Sequence, residues 1–567
     1  MQGRTRIERE LLDAQAIVGE LVPPGSVFAF LAEHRSELFP ESFIADLFEG
    51  KRTGRPSLPA DLIGSVLVLK ELYDLSDPQT AEAVRFDIRW KVACGRSLTE
   101  TSFDPSTLVY WRRRIAASER PDRVFDAVAR VVAETGVLRG RRKRCVDSTV
   151  FDDAVATQDT VTQLVAAMRK VARLVPGAAG VIEQVATLDY SKPGKPDIDW
   201  DDPAAKQRLV SGLVNDALAV LAELTGPDAA QRDEKAADAL GLLALVAGQD
   251  VEPAAGSDGA DGRWRIARKV APDRVISTVD VETRHTRKSK SNRKDGFRGH
   301  VAAEPTTGLI TDCELTKASG EAGSDATVGE QMIARDRYHR ADTAEAFPAA
   351  PAAETAHPDT GATTAALVAA AMVGAGDGDA AARGTGLEVY GDSAYGTGQA
   401  RAAYARHGHH TVIKPQPLRP AVPGGFTLDD FTIDERARTV TCPGGHTRAM
   451  SEKRTVTFGK LCADCPLRSR CTTAKDGRSM SIHEHEQLLR AARAQARTPE
   501  FKQAYPTRSM VERVIAWTAT SRGRRIKLRY LGVDKNHAWL RTRCAAINLR
   551  TLINKGLTYT DGAWALA

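Results

Sequence analysis

Long apolar runs are missing from this 567-residue chain. No stretch approaches the roughly 18 consecutive apolar residues of a membrane-crossing helix, so none is expected. The opening residues, MQGRTRIERELLDAQ, carry charges with no apolar stretch behind them, which argues against a secretory signal. Cysteine is scarce. Eight residues cannot make a disulfide scaffold, and a reducing, cytoplasmic setting is expected. Net charge is small, at +6, and no internal repeat is visible. What is present is ordinary in bulk. Apolar residues make up 42% and charged residues 27%, a globular composition. The length fits roughly three to four domains of about 150 residues each.

The small total charge hides a polarised chain. Residues 501–550 hold 12 Lys or Arg against Glu512 and Asp534, a net of +10. Residues 284–298, RHTRKSKSNRKDGFR, hold 7 against Asp295, a net of +6. The other 502 residues therefore sum to −10. One such run is as well explained by a solvated basic face. Two in an otherwise acidic chain favour a polyanion partner, with Lys and Arg neutralising phosphates. Neither run shows a clean apolar face, so membrane-surface binding explains them less well.

Periodicity organises the chain. Helical spacing runs through 57–75, and Ser76-Asp77-Pro78 reads as a stop and a new N-terminus. A second helix is expected over 78–95, ended by Gly95, and a third over 102–115 with three consecutive arginines (Arg112, Arg113 and Arg114). Such helices suit a helix-turn-helix module, or a small bundle that only packs. RRKRCVDSTVF (141–151) reads as a buried strand containing one carboxylate. Helices return from about 157 to 262 and end in a flexible acidic loop. Residues 299–319 read as a hairpin turning at Pro305-Thr306-Thr307-Gly308. A helix between loose linkers is expected in 341–386. LEVYGDSAYGTG (387–398) is a strand running into Asp392 and a glycine-rich turn. A short helix and the strand TVIKP (411–415) follow. Residues 416–483 form a turn-rich, cysteine-bearing unit, and the chain closes on basic helices. This order describes an α/β core with interruptions.

Three acidic residues stand apart. Asp147 sits in an apolar strand, where a carboxylate is costly unless paired or bound to cations. Asp392 sits where a strand meets a turn. Glu512 sits in a stretch with one other acid over fifty residues. Singly, each has a plainer explanation: an ion pair of Asp147 with Lys143 or Arg144, a turn or helix-cap role for Asp392, and an intrahelical pair of Glu512 with Arg508. Together, converging carboxylates could hold two divalent ions roughly 3.5–4 Å apart, which suits phosphoryl transfer. Mg²⁺ fits such donors.

RCVDSTVF, LEVYGDSAYGTG and YPTRSMVERVIAW…RRIKLRYLG…NHAWLRTRCAAINL resemble the DDE transposases of bacterial insertion sequences, and within them the eleven-eighty-two group. A related signature runs Tyr, two residues, Arg, three residues, Glu; Tyr505, Arg508 and Glu512 match that spacing. The signature's Lys, seven residues on, is Ala519 here, and Arg522 or Arg524 would supply that charge. The basic segment before residue 303 resembles the group's second-strand region, and GRPSLPADLIGSVLVLKELYDLS its N-terminal helical domain.

The resemblance implies an α/β fold: an RNase H-like catalytic core with a helical N-terminal domain, a helical insertion and a small cysteine-bearing insertion. Residues 1–120 would bind DNA. Residues 121–415 and 484–567 would form the core, with the helical insertion at about 157–262 and the cysteine unit at 416–483. Asp147, Asp392 and Glu512 would be the catalytic, metal-binding triad, on the first strand, at the end of the fourth and on a later helix. The cofactor would be two Mg²⁺ ions, replaceable by Mn²⁺. DNA would be contacted by Tyr505, Arg508, Arg522, Arg524, Arg525, Lys527 and Arg529. Arg287, Lys288, Lys290, Arg293 and Lys294 would add contacts, as would Arg112, Arg113 and Arg114. The partners would be the terminal inverted repeats, target DNA and a second copy of the chain, in a bacterial cytoplasm at the nucleoid. The reaction would cut the element's ends and join them to a target. A nuclease without strand transfer, or a non-catalytic DNA-binding descendant, are the alternatives.

Cys442, Cys462, Cys465 and Cys471 fall within 30 residues. One Cys-x-x-Cys pair with two flanking cysteines could make a structural Zn²⁺ site, with His446 as a substitute ligand. The segment looks poor in apolar residues, which favours a metal staple. Four reduced, partly buried thiols are the plainer alternative. His483 and His485 read as solvated.

Overall fold

The structure, a computed structural model, describes residues 1–5, 11–48, 56–225, 233–287, 293–340 and 386–567. Lys288, Lys290 and nearly all of the 341–386 stretch lie outside the described residues.

The N-terminal region is helical because its caps and apolar spacing agree. The helix Ala60–Tyr73 is buried on all sides along residues 60–71 and ends at Asp74, whose left-handed backbone (φ 54°) closes it. Ser76 then starts the next helix with a capping box to Gln79, and Pro78 fits the first turn. The helix expected over 78–95 is two helices, Asp77–Phe86 and Ile88–Ala93. Asp87 breaks it, because its carboxylate accepts the Arg89 backbone N–H at 2.9 Å and competes with the helix. The arginine-bearing helix is Ser106–Ala116.

The central sheet has six strands: β1 Lys143–Asp152, β2 Arg284–Arg287, β3 Arg293–Ala303, β4 Ile310–Lys317, β5 Glu388–Gly391 and β6 His410–Ile413. β3 runs antiparallel to β1, while β2 and β4 pair with successive parts of β3. On the other side of β1, β5 and β6 add in parallel. The β3–β4 hairpin turns at the expected Pro-Thr-Thr-Gly, where Glu304 accepts the Thr306 and Thr307 amides at 3.1 and 2.7 Å.

Helices cover both faces. Asp325–Ala334 packs on β1, β3 and β4, and Ser509–Ala519 on β1 and β3. The helix Val533–Ile553 joins the parts, lying on β4 and also against Ala60–Tyr73 and Arg123–Glu134. The N-terminal helices, β3, β4 and this helix therefore share one apolar core. Arg541 sits inside it, paired with buried Asp312, 3.1 Å from Asp122, and with its guanidinium 4.0 Å from the Phe125 ring centre.

The insertion after β1 contains the helices Thr160–Leu174, Ala178–Val185, Pro203–Leu224 and Glu234–Gln249, closed around its own core. The acidic tail expected to be a flexible loop joins two short strands, Val251–Pro253 and Trp264–Ile266. The cysteine-bearing unit has short strands and a second core of Phe431, Val440, Met450, Val456, Phe458, Cys462 and Ile482, so it is not poor in apolar packing. Among the described residues no helix is long and apolar enough to cross a membrane.

Replacing Arg541 by Ala strands Asp312 with only Arg335, among the described residues, to face it. The expected cost is about 3 kcal/mol, the low end for breaking a buried pair. It is measured as a lowered urea midpoint at neutral pH.

Candidate functional site

Alternation along β1 separates two environments. Cys145 packs with Tyr390, Val412, Phe501 and Val511, whereas Val146 packs with Ala302, Val389 and Ile413. The period of two puts Asp147 on the face of Cys145 and Ser148 on that of Val146. The parallel register sets Cys145 beside Tyr390. Continued two residues further along each chain, that register leads to Asp147 and Asp392, and the Asp392 charge acts on Asp147. Asp392 also begins a tight turn, since its Oδ1 accepts the Ala394 amide at 2.9 Å. The cap and the site positions are therefore compatible.

Glu512 comes from the first turn of Ser509–Ala519. Arg508, just ahead of that helix, joins the acids. Its Nη2 donates to Asp147 Oδ2 at 3.1 Å and its Nη1 to Glu512 Oε1 at 3.0 Å. Its Nε is buried without a hydrogen-bond partner among the described residues. Asp147 does not pair with Arg144, which is buried against Asp336 at 2.6 Å. The two bridged acids differ in exposure, 15% for the Asp147 side chain and 62% for Glu512.

Electrostatics tie the group together. Burial pushes the Asp147 carboxyl up to about 6; the Ser148 amide and Arg508 pull it down, and Asp392 and Asp325 add to the rise. Burial opposes the Arg508 charge, but Asp147, Tyr505, Asp392 and Glu512 outweigh it and hold the guanidinium above its ordinary value. Burial raises the Tyr505 hydroxyl, which lies in the field of Arg508 and all three acids.

A polar layer on the opposite face escaped the sequence reading. Asp325 Oδ1 accepts the Ser148 hydroxyl at 2.6 Å, and its Oδ2 accepts Arg298 Nη1 at 3.1 Å. The buried Tyr395 hydroxyl is held protonated by burial, then by Asp325 and Asp147. Gly329 lets the Asp325–Ala334 helix come this close, because a Cβ there would lie 2.5 Å from the Tyr395 ring. Asp325 follows its N-cap Ser324 in a polar turn, so nothing in its sequence surroundings sets it apart.

As they stand, no three His, Cys, Asp or Glu side chains among the described residues are arranged to hold a metal ion. At the acid cluster Arg508 takes up the charge of two of them. In the cysteine unit, Cys442, Cys462, Cys465 and Cys471 line one small cavity with His446. Cys462 belongs to the apolar core there, its sulfur accepts the Arg478 amide at 3.5 Å, and burial pushes the Cys471 thiol up. The four thiols share that cavity but are not arranged as metal ligands among the described residues, and the unit has an apolar core of its own. His483 and His485 are half-buried rather than solvated, with His483 packed against Gly398.

The basic residues divide. Arg522, Arg524, Arg525 and Lys527 are exposed on a hairpin (Thr520–Ser521 with Arg524–Arg525) whose next residues run beside Asp152. Arg529 is exposed but held by Asp74 at 2.8 Å. Arg287 and Arg293 are exposed and directly opposite each other across β2 and β3, with Lys294 next along β3. Of the three consecutive arginines only Arg113 is exposed. Arg112 makes a two-bonded pair with Asp77, and Arg114 donates to the Leu47 carbonyl and lies 4.2 Å from the Phe48 ring centre. Both are engaged within the fold, which leaves Arg113 as the exposed one of the three.

The raised Asp147 carboxyl makes a prediction for protein held in chelator. Between about pH 4 and 6 the folded state binds the extra proton, so stability falls as pH rises through that window. The expected loss is on the order of 2 kcal/mol. Urea midpoints compared at pH 4.5 and 7 should show it in the natural protein and much less of it in Asp147→Asn.

Comparison with protein families adds two matches. Residues 440–553 match the Transposase DDE domain, and residues 18–114 match a second family described as a Transposase domain. The first match contains Glu512, Arg508 and Tyr505, and Asp147 and Asp392 lie outside both. No curated protein and no solved structure matches the chain. With the helical N-terminal region and the acid cluster in view, these two matches, over residues 18–114 and 440–553, support an insertion-sequence DDE transposase.

Proposed function

We propose that this transposase cleaves DNA at the ends of its insertion sequence and joins those ends to target DNA by two-metal phosphoryl transfer. The observation that carries the reading is convergence. Asp147, Asp392 and Glu512 come from three distant parts of the chain; one guanidinium touches Asp147 and Glu512, and the Asp392 charge acts on Asp147. The strand order supports an RNase H-like core: an antiparallel β4-β3-β1 side continued by parallel β5 and β6. The eleven-eighty-two resemblance of the motifs is consistent with it.

The donor set suits Mg²⁺, being made of carboxylate oxygens. That Arg508 bridges Asp147 and Glu512 means these two can share a cation. Asp147, Asp392 and Glu512 would hold the ions, which supply Lewis-acid activation of water and charge neutralisation at phosphorus. Arg508 and Tyr505 would turn to the scissile phosphate. Arg508 offers the planar fork that phosphate oxygens match. In the first step a water oxygen bonds to phosphorus as the bond to the 3′-oxygen breaks, leaving a 3′-hydroxyl. In the second, that 3′-hydroxyl attacks a target phosphodiester and a target 3′-oxygen leaves. No protein nucleophile is consumed.

The exposed Arg522, Arg524, Arg525 and Lys527, with Arg287, Arg293 and Lys294, would lie along the DNA backbone, and Arg113 would add a contact from the N-terminal helices. Two copies of the chain, one per DNA end, would assemble at the nucleoid.

The test uses purified protein, a labelled terminal-repeat duplex, a plasmid target and Mg²⁺. Asp147→Asn, Asp392→Asn and Glu512→Gln should each lower end cleavage by about 10³-fold, several kcal/mol of transition-state stabilisation, with duplex binding retained. Chelator should abolish cleavage, and added Mg²⁺ should restore it. Cleavage without joined product would replace strand transfer by simple nuclease action, and full activity in the acid variants would overturn the site.

A further inference from the structure

Beside the acid cluster lies a groove of about 580 Å³ of which the roles above use only Tyr505. One wall is the extended segment after β6, with Pro415, Pro417 and Leu418. The other is the helix Pro499–Ala504 and the end of Glu486–Gln495. Half-buried Tyr505 is backed there by Phe501, a buried residue of the small core around Cys145 and Tyr390, in a parallel stack with ring centres 5.2 Å apart and planes 14° from parallel. Lys414, Arg497 and Lys502 are exposed around it. Asp429 is the one acid among the described lining residues, and buried Arg493 takes both of its oxygens at 3.0 Å or less. Arg497 stands 3.7 Å from that same carboxylate and is mostly in solvent. The surroundings therefore stay positive.

The inner end is Tyr505, whose hydroxyl lies in the field of Asp147, Asp392 and Glu512. Tyr505 lines the groove three residues before Arg508, the residue that touches Asp147 and Glu512, so the groove opens next to the acid cluster. Cations spaced around an apolar trough with a stacked aromatic pair are what single-stranded nucleic acid uses: the phosphates follow the charges and the bases lie on the flat apolar surfaces. The size decides between strands. Compact ligands fill pockets of about 300–1,000 Å³, so the groove has room for one or two nucleotides. A duplex, whose major groove alone is about 12 Å wide, is too broad to enter.

We infer that this groove binds unpaired DNA, one or two nucleotides of the strand contiguous with the phosphate held at Asp147, Asp392 and Glu512. The position of that phosphate rests on the function proposed above; the groove's preference for unpaired nucleotides does not.

Binding is measured with full-length protein in chelator, where no cleavage occurs. The probes are a blunt terminal-repeat duplex and the same duplex carrying a three-nucleotide single-stranded extension. The extension should tighten binding about tenfold, within the roughly 1–3 kcal/mol per stacked base known for such platforms. Arg497→Glu with Lys502→Glu should remove that gain, and should lower the salt slope for the extended probe by about 1.4, two single-strand phosphate contacts. Lys414→Glu on the opposite wall should reduce the gain independently. Lys453→Glu with Lys475→Glu, exposed and outside the groove, should weaken both probes equally and leave the ratio alone. Unchanged thermal midpoints establish folding for each variant. A photoreactive thymine in the extension should crosslink to the 415–418 or 499–506 segment. No gain from the extension, a gain untouched by either set of groove variants, or crosslinks only elsewhere would overturn the proposal. If the chain cleaves no DNA yet the gain appears and vanishes as stated, the groove stands and the cleavage chemistry falls.

Discussion

The parallel pairing of β1 with β5 is the constraint on which the site depends. Its register sets Cys145 beside Tyr390 and, continued two residues further, leads to Asp147 and Asp392, although 244 residues of chain separate them. A slip of one residue would break that match. The Asp147 face of β1 is closed by Ser509–Ala519, which brings Glu512 and Arg508 over the pair. The other is closed by Asp325–Ala334, which seats Asp325 on Ser148 and braces β1 beneath Asp147. The strand is gripped from both sides, and its carboxylate cannot drift without breaking a contact on one of them.

The acids then need positive charge, and Arg508 supplies it. Packing several carboxylates together at partial burial is costly unless a cation shares them. A guanidinium between Asp147 and Glu512 keeps the cluster intact and keeps a phosphate-matching group at its centre. The wider positive field is divided by burial. Within the basic C-terminal stretch, Arg541 and Arg543 are inside the protein. Arg543 donates to four backbone carbonyls, those of Glu71, Trp517, Thr518 and Thr520, and so ties the N-terminal helices to the site helix. Arg522, Arg524, Arg525 and Lys527 lie outside. One charge run therefore does two jobs, holding the molecule together and facing solvent.

Local features were legible in the sequence. The β1 and β5 strands, the hairpin turn at 305–308, the new helix start at Ser76 and the turn at Asp392 follow from alternation, turn chemistry and caps. The features that were not legible share one cause. Arg112 and Arg114 look like surface charge beside the exposed Arg113, yet Asp77 and Phe48 arrive from elsewhere in the fold to absorb them. The cysteine unit looks too poor to pack, but its few large apolar residues are folded onto one another by short strands. Asp325 has an unremarkable neighbourhood in sequence, and its importance comes from the strand it touches.

The sequence by itself determined the type and order of the elements around the site and which acids were candidates, because dihedral preference, capping and alternation act over a few residues. Only the tertiary structure decided that one guanidinium touches both Asp147 and Glu512, that two of three arginines turn inward, and that an aromatic-floored groove leads away from the acids. Those outcomes depend on strand register and on helices packing across hundreds of residues, where no local rule says which distant side chain will be the neighbour.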